Sequence, residues 1–356
     1  MATKHGSSQM SNKMTILMFS RLFYPHIGGV ENHVEKLSRE LIKKGHQITI
    51  ITELFQKNLK KTETRNKVKI FRIPVPHQEK QKKWHIWKWF WQNRRLMQKA
   101  DLIHIHDVFF WFLPLKPFFL KKPVYITCHG YEGIGPPTIK AILQRKIGEW
   151  LTHGTICIGQ FMKKWYKAKP NFIIYGATDS IKSVTAKPNT AIYLGRLSGD
   201  TGIMVYLETL KLLKDKKINL TLNVYGNGPQ LIQAQKFTKK HKLNVNFHSF
   251  VKDASSKIPQ NSLAFISRYL GILEAMLSKR PVFAVYNNQI KKDYLTCHPQ
   301  AKNMIITKDE KILADSIIKC LNNPKQFQGK IHQAYKWARK QTWGKITEKY
   351  LQLWKI

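Results

Sequence analysis

At the start of this chain a short apolar run, a loop, a helix-spaced segment and a second β-branched run follow one another. No other feature constrains the fold as strongly. Thr15 to Phe19 (TILMF) enters the loop SRLFYPHIGG. In the following ENHVEKLSRELIKKG, Val34, Leu37 and Leu41 recur at helical spacing, with Gly45 as the stop. HQITIIT then supplies a second strand. Parallel neighbours need a crossover, usually a helix, so this β-loop-α-β opening begins a parallel, doubly wound sheet. Strands are expected at Val68–Ile73, Leu102–Ile105 and Val124–Thr127, a helix at Ile139–Leu151 and a strand at Thr155–Ile158.

The pattern loosens into a linker, FIIYGATDSIKSVTAKPN, and then restarts. AIYLGRL is a strand into a glycine-bearing loop, VYLETLKLLKDKK a helix, and LTLNVYGNGP a strand into a turn. A helix through Gln230–Lys240, a strand at Val245–Phe250, a helix at Ile272–Ser278 and the strand PVFAVY continue the scheme. At 356 residues the chain is long for one core. The expected fold is α/β, with two Rossmann-like doubly wound domains facing across a cleft. Residues 1–13, polar and serine-rich, are expected to be a disordered leader. Residues 14–180 form the N-terminal domain, 188–340 the C-terminal domain, and 341–356 a closing helix.

Charge is the abnormal feature: 61 Lys+Arg against 21 Asp+Glu, a formal +40. Such a chain is attracted to polyanions, whether nucleic acid, anionic lipid or nucleotide phosphate, although the excess is spread along the whole sequence. Four isolated cysteines, Cys128, Cys157, Cys297 and Cys320, suggest neither a zinc site nor a disulfide framework. The longest apolar stretch, Val108 to Leu115, is too short to span a bilayer.

Four places carry chemistry. Gly28 and Gly29 precede a helix whose first N–H groups and dipole favour an anion, though a plain βα turn reads the same way. In GRLSGDTG, Arg196 ends a strand inside a glycine-bearing loop, where a guanidinium forks onto phosphate oxygens or simply faces solvent. In LEAMLSKRPV, Glu274 lies within a short apolar helix, a setting that suits the paired hydroxyls of a ribose or a helix-surface carboxylate. In TCHG, His129 closes a first-half strand, the edge at which open α/β sheets hold ligands.

The segment KKWHIWKWFWQNRR (82–95) holds four tryptophans among six basic groups counting the histidine. On a helical wheel its apolar arc covers roughly 220°, too wide for one sheet-facing stripe. Part packs inward, and the surplus suits either an internal aromatic cluster or a foot on an anionic membrane. Trp84, Trp87, Trp89, Trp91, Arg94 and Arg95 are assigned to the membrane or acceptor side.

Taken together and in order, FYPHIGGVENHVEKLSRELIKKGHQITIIT, DLIHIHD, ITCHG, IIYGATD, GRL, VYGNGP, LEAMLSKRPV and WGKITEKYLQLW resemble the motifs of family 4 retaining glycosyltransferases over nearly the whole chain. The resemblance implies a GT-B fold, with the acceptor held mainly by the first domain and a nucleotide-sugar donor by the second. It implies that Gly28 and Gly29 bring backbone amides to the donor diphosphate. It further implies that Arg196 pairs with the diphosphate charge, Gly226 lies at the donor, Glu274 holds the ribose hydroxyls, and His129 sits near the transferring sugar. No metal and no cofactor beyond the UDP- or GDP-linked substrate is expected. The implied acceptor is lipid-linked or an envelope polysaccharide, met by a cytoplasmic protein peripheral to the inner face of a membrane.

Two departures stand out. Thr201 replaces the family's loop lysine, and Ile266 stands where the first of two family glutamates would meet the sugar. Thr201 and Arg268 are the substitute sugar or phosphate contacts, with Ser267 and Tyr269 beside them. A non-catalytic nucleotide-sugar-binding protein on the same fold, or a nucleotide-sugar epimerase, is an alternative. A nucleic-acid-binding protein ranks third, behind the transferase and the non-catalytic binding protein, because no nucleic-acid motif accompanies the charge.

Overall fold

A computed structural model describes residues 13–76, 79–131, 135–182, 184–249, 251 and 253–356. Residues 1–12 of the expected leader lie outside the described residues.

The first unit contains β1 (Thr15–Ser20), α1 (Gly29–Lys43), β2 (Gln47–Leu54), β3 (Thr62–Arg65), β4 (Val68–Pro74), α2 (Glu79–Gln92), α3 (Arg94–Lys99) and β5 (Leu102–His106). It continues through β6 (Val124–Cys128), α4 (Ile139–Leu151), β7 (Gly154–Ile158), α5 (Phe161–Trp165) and β8 (Phe172–Ile174). The strands form one sheet in the order β3-β4-β2-β1-β5-β6-β7-β8, parallel except for the β3–β4 hairpin. The inner strands β5, β6 and β7 are buried along their whole length, as expected of a parallel sheet covered on both faces. Val34, Leu37 and Leu41, picked out by spacing, are the buried stripe of α1.

The second unit contains β9 (Lys187–Leu194), α6 (Ile203–Asp215), β10 (Thr221–Tyr225), α7 (Leu231–Lys240), β11 (Val245–His248) and β12 (Asn261–Phe265). It ends with α8 (Tyr269–Leu277), β13 (Val282–Val285), α9 (Gln289–Thr296), β14 (Ile305–Thr307), α10 (Glu310–Asn322) and α11 (Pro324–Ala338). Its sheet runs β11-β10-β9-β12-β13-β14, all parallel. The stretch read as a linker is shorter than expected: β8 falls inside it and pairs with β7, and β9 begins at Lys187. The helices α9, α10 and α11 and the strand β14 are additions to the sequence reading.

The last helix, α12 (Trp343–Trp354), returns to the first unit and packs on α1. Its Tyr350 hydroxyl lies 2.9 Å from His33 Nε2 and 2.8 Å from Thr127 Oγ1. Trp354 Nε1 donates to His104 Nδ1 at 3.0 Å. All of these groups are buried, so each needs its partner. Removing the hydroxyl in Tyr350→Phe strands the buried His33 Nε2, while Thr127 Oγ1 keeps its contact with His104 Nε2 at 2.8 Å. We expect a loss of about 1–3 kcal/mol in denaturant unfolding; an unchanged midpoint would show that α12 is held by apolar contact alone.

Candidate active site

In each sheet the strand order reverses once, between β1 and β5 in the first and between β9 and β12 in the second. The loops leaving the carboxyl ends of those pairs diverge and leave a crevice. All four sites singled out by sequence fall on these edges or on the helices beside them.

At the second reversal, the loop after β9 carries Arg196. Its guanidinium is exposed and has no hydrogen bond or ion pair among the described residues. The loop is closed by Thr201, which is only 4% exposed. The Thr201 hydroxyl donates to the carbonyls of Arg196 and Ser198 and accepts from the Tyr193 hydroxyl at 2.8 Å. The expectation that Thr201 touches sugar or phosphate is therefore corrected: its one polar group is turned into the loop it holds. Gly226 sits where a Cβ would fall 1.9 Å from the Gly195 carbonyl oxygen, and its φ is +151°. Its visible role is to let the GRL and GNG loops touch.

The loop after β12 carries the residues expected to stand in for a lost glutamate. Ile266 is core. The Ser267 hydroxyl is committed to Tyr206 at 2.9 Å and to the Val285 N–H at 2.9 Å. Tyr269 is buried and stacks on Tyr294 at 3.8 Å. Only Arg268 faces the cleft, where it pairs with Asp200 of the β9 loop. Partial burial of Asp200 works to raise its carboxyl. The charge of Arg268, a hydrogen bond from Ser198, and then Lys291 and Arg196 together outweigh it and hold the carboxyl below the usual range. Asp200 is thus within electrostatic reach of three cations, and Lys291, on α9, is one that sequence reading passed over.

Glu274 lies on α8, 8% exposed, with no side-chain hydrogen bond among the described residues. Burial pushes its pKa up to about 8; Asp253 and then Asp179 add to the rise, and Lys36 opposes them. Lys36 of α1 pairs with Asp179, so this carboxyl lies near the contact between the two units. It is a buried acceptor awaiting donors.

Across the cleft, His129 ends β6. Its Nε2 is 2.9 Å from His106 Nδ1, its N–H donates to Asp107 Oδ1 at 2.9 Å, and its ring meets His33 edge-on at 4.9 Å. Burial, and then Arg145, push His129 down to about 3, so the ring is neutral at physiological pH. Burial also drives His33, His104 and His106 well below their ordinary value. Tyr131, two residues further, touches Tyr294 at 5.9 Å and feels Arg268 and Asp200. The segment that leaves β6 past His129 thus reaches the neighbourhood of the Arg268–Asp200 pair through Tyr131. Gly28 is extended (φ −158°) and Gly29 opens α1 on the same edge. The space beside Gly28 is taken by the Glu31 carboxylate, which is 3.0 Å from His26 Nδ1.

The tryptophan segment divides. Ile86 and Phe90 are core. Trp87 and Trp89 are half-buried, Trp87 donating to the Phe110 carbonyl at 2.9 Å. Trp84, Trp91, Arg94 and Arg95 are exposed. The crossovers β4 to β5 and β6 to β7 run the same way across the sheet, so α2 and α4 share one face. Trp91 touches Phe118 at 5.0 Å, and Phe109 lies against Gly148 of α4. On α4 itself Ile139, Leu143, Ile147 and Trp150 are exposed, Trp150 by 82%. Their helical spacing was visible in the sequence, but nothing there said which face was covered.

Among the described residues no cluster of His, Cys, Asp or Glu could hold a metal ion, and no helix is long and apolar enough to cross a membrane.

Two family models match the chain: Glycosyltransferase Family 4 over residues 27–174 and Glycosyl transferases group 1 over 178–339. The chain is 22% identical over 268 residues to a phosphatidylinositol N-acetylglucosaminyltransferase subunit of Arabidopsis thaliana. That match covers 65% of this chain and 56% of the relative, so the chain spans little more than half of that protein's length. Among solved structures it resembles sucrose-phosphate synthase from Thermosynechococcus elongatus, with a TM-score of 0.78, 15% identity, and 96% and 98% of the two chains covered. It also resembles a glycosyltransferase from Rickettsia africae ESF-5 (0.74, 15%, 97% and 98%) and WaaG, a glycosyltransferase involved in lipopolysaccharide biosynthesis (0.66, 15%, 94% and 98%). At these identities the structures establish the fold.

Glu274 generates a stability expectation with a definite sign. Its folded pKa of about 8 lies above the ordinary 4.5, so between those values the unfolded chain binds fewer protons and stability falls as pH rises. Glu274→Gln removes that fall. Its advantage over wild type should grow by about 2–4 kcal/mol between pH 5 and pH 8.5 in denaturant titrations. A constant difference across that range would mean that Glu274 ionises freely in the folded protein.

Proposed function

The chain belongs to the family 4 glycosyltransferases of GT-B fold, and on that premise we propose that it moves a sugar, with retention, from a UDP- or GDP-linked donor to a lipid-linked or envelope polysaccharide acceptor at a membrane surface. The observation that carries this reading is the cleft itself. Among the described residues Arg196 is unpaired and the buried Glu274 unpartnered on the side of the second unit, and a neutral His129 ends β6 at the strand edge of the first.

The chemistry follows from those properties. Glu274 accepts the two ribose hydroxyls of the donor, which lets its carboxyl ionise where it stands. Arg196 and the amides of Gly28 and Gly29 meet the diphosphate, whose negative charge grows as the anomeric C–O bond breaks. Donors fixed in advance for that charge lower the barrier without reorganisation. The acceptor oxygen bonds to the anomeric carbon on the face the diphosphate leaves, and the acceptor's proton passes to the departing phosphate oxygen. No strong protein base is required. His129, held neutral, serves as a hydrogen-bonding partner to the sugar and not as the proton acceptor. A metal is unnecessary in this scheme because side-chain cations meet the diphosphate.

The membrane part of the reading rests on the shared face of α2 and α4. Trp84, Trp91, Phe118, Leu120, Ile139, Leu143 and Trp150 are exposed there beside Lys88, Arg94, Arg95, Lys121 and Lys140. Aromatic and aliphatic side chains ringed by cations suit the head-group layer of anionic lipid. The name of the plant relative, which describes a transferase of a phosphatidylinositol lipid, is in keeping with such an acceptor.

Two experiments test the proposal. With a panel of UDP- and GDP-sugars, one donor should be turned over and the first-formed product should keep the donor's anomeric configuration by proton NMR; Arg196→Ala should lower kcat/KM by about a hundredfold or more. Turnover with inversion would overturn retention, and absence of both turnover and nucleotide binding would overturn the donor assignment. In vesicle co-sedimentation, binding to anionic lipid should exceed binding to neutral lipid and fall several-fold in the combined Trp84→Ser, Trp91→Ser and Trp150→Ser variant. Equal failure with both lipids would remove the membrane foot.

A further inference from the structure

Lys291 is a wholly buried lysine on α9, at the C-terminal side of the cleft, and its surroundings do not account for its charge. Its Nζ donates to the Ser267 carbonyl and lies 4.5 Å from the centre of the Tyr294 ring. Among the described residues it has no ion pair and no second hydrogen bond, so two of the three ammonium N–H groups are unmatched. Asp200 is close enough to feel it, but that carboxylate is already engaged by Arg268 and by the Ser198 hydroxyl. A buried cation without its own counter-charge is strongly disfavoured. Burial, and then the nearby Arg268, accordingly hold its pKa well below the ordinary value. A methionine would fill the same space over Tyr294 with no electrostatic cost, so what lysine adds is the capacity to meet an anion.

The local architecture places that capacity at the donor loops. α9 begins with Asn288, whose side chain accepts from the Lys291 N–H at 2.8 Å, and Asn287 donates to the Gly199 carbonyl at 2.8 Å. The start of α9 is thus hooked to the turn that carries Asp200. Arg268 pairs with this one carboxylate, and Lys291 and Arg196 act on it electrostatically. With Lys291 protonated, three cations against one carboxylate leave two positive charges over, the complement of a diphosphate ester. Arg268 is part-exposed and Asp200 half-buried, and both act electrostatically on Lys291.

We propose that Lys291 is a diphosphate-binding residue of the donor site, screened by the Asp200–Arg268 pair, which an incoming nucleoside diphosphate opens. The proposal rests on the donor reading above. The diphosphate replaces Asp200 as the partner of Arg268, and the Lys291 ammonium then gains the anion it lacks. Asp200 acts as an internal stand-in that offsets one of the three cations and so competes with the ligand.

The test is calorimetric titration of the full chain at fixed ionic strength with inorganic pyrophosphate, UDP, GDP, uridine and guanosine, alongside thermal denaturation. Lys291→Met should weaken pyrophosphate and the preferred nucleoside diphosphate about tenfold or more, because a charge-assisted contact is lost. It should leave nucleoside affinity unchanged and melt at or above wild type. Asp200→Asn should tighten pyrophosphate, since Arg268 is released. Lys291→Met binding diphosphates as wild type does would overturn this inference alone, leaving the donor reading intact. So would a variant that melts lower and loses nucleosides and diphosphates alike, the behaviour of a structural strut. A wild-type protein that binds none of the five probes would overturn the donor reading and this inference with it.

Discussion

In a parallel sheet every strand delivers its outgoing loop to the same edge, and where the strand order reverses those loops part. This molecule contains that geometry twice, between β1 and β5 and between β9 and β12. Everything chemically distinctive follows from it. Arg196, Asp200 and Arg268 leave the second reversal, His129 and Tyr131 come from the strand beside the first, and contacts such as Tyr131 with Tyr294 bring the two edges together. The return of α12 to α1, through Tyr350, His33 and Thr127, ties the end of the chain to the first unit.

The surroundings of two groups in the cleft disfavour their charged forms. Among the described residues Glu274 is a buried acid without a donor, and Lys291 a buried base without a counter-ion. Each lowers the stability of the fold, and each is complemented by a different part of one ligand, a ribose with two hydroxyls and a diphosphate with two charges. Sites prepared for a charged ligand commonly carry such local destabilisation, since binding energy then goes into relieving it. The four-histidine cluster is the opposite case. Burial keeps those rings neutral, and their hydrogen bonds to one another, to Tyr350 and to Trp354 fix the orientation of the strand ends.

Much of this was legible in the sequence. Val34, Leu37 and Leu41 announced α1, the glycine-bearing loops marked the strand ends, and the order of motifs identified the family. What was not legible depended on facing and on neighbours distant in sequence. TETR and FII are too short and too mixed to show as strands, yet each pairs with an adjacent strand. Thr201 sits in the right loop but is turned inward by Tyr193 and two carbonyls. Lys291 reads as one of a pair of surface lysines in QIKKDYLT, and only the folded chain shows it buried against Tyr294. In KKWHIWKWFWQNRR the wheel showed more apolar arc than one sheet can cover. The structure assigns Ile86 and Phe90 to the core and leaves Trp84 and Trp91 outside, beside a stripe on α4 that the sequence could not orient.

The central claim is that one nucleotide spans this cleft, and a crystal structure of the protein soaked with a nucleoside diphosphate tests it most directly. The account predicts the ribose hydroxyls against the Glu274 carboxylate and the diphosphate among Arg196, Arg268 and the amides of Gly28 and Gly29. A nucleotide bound away from Glu274, or with its phosphates turned out of the cleft, would contradict it.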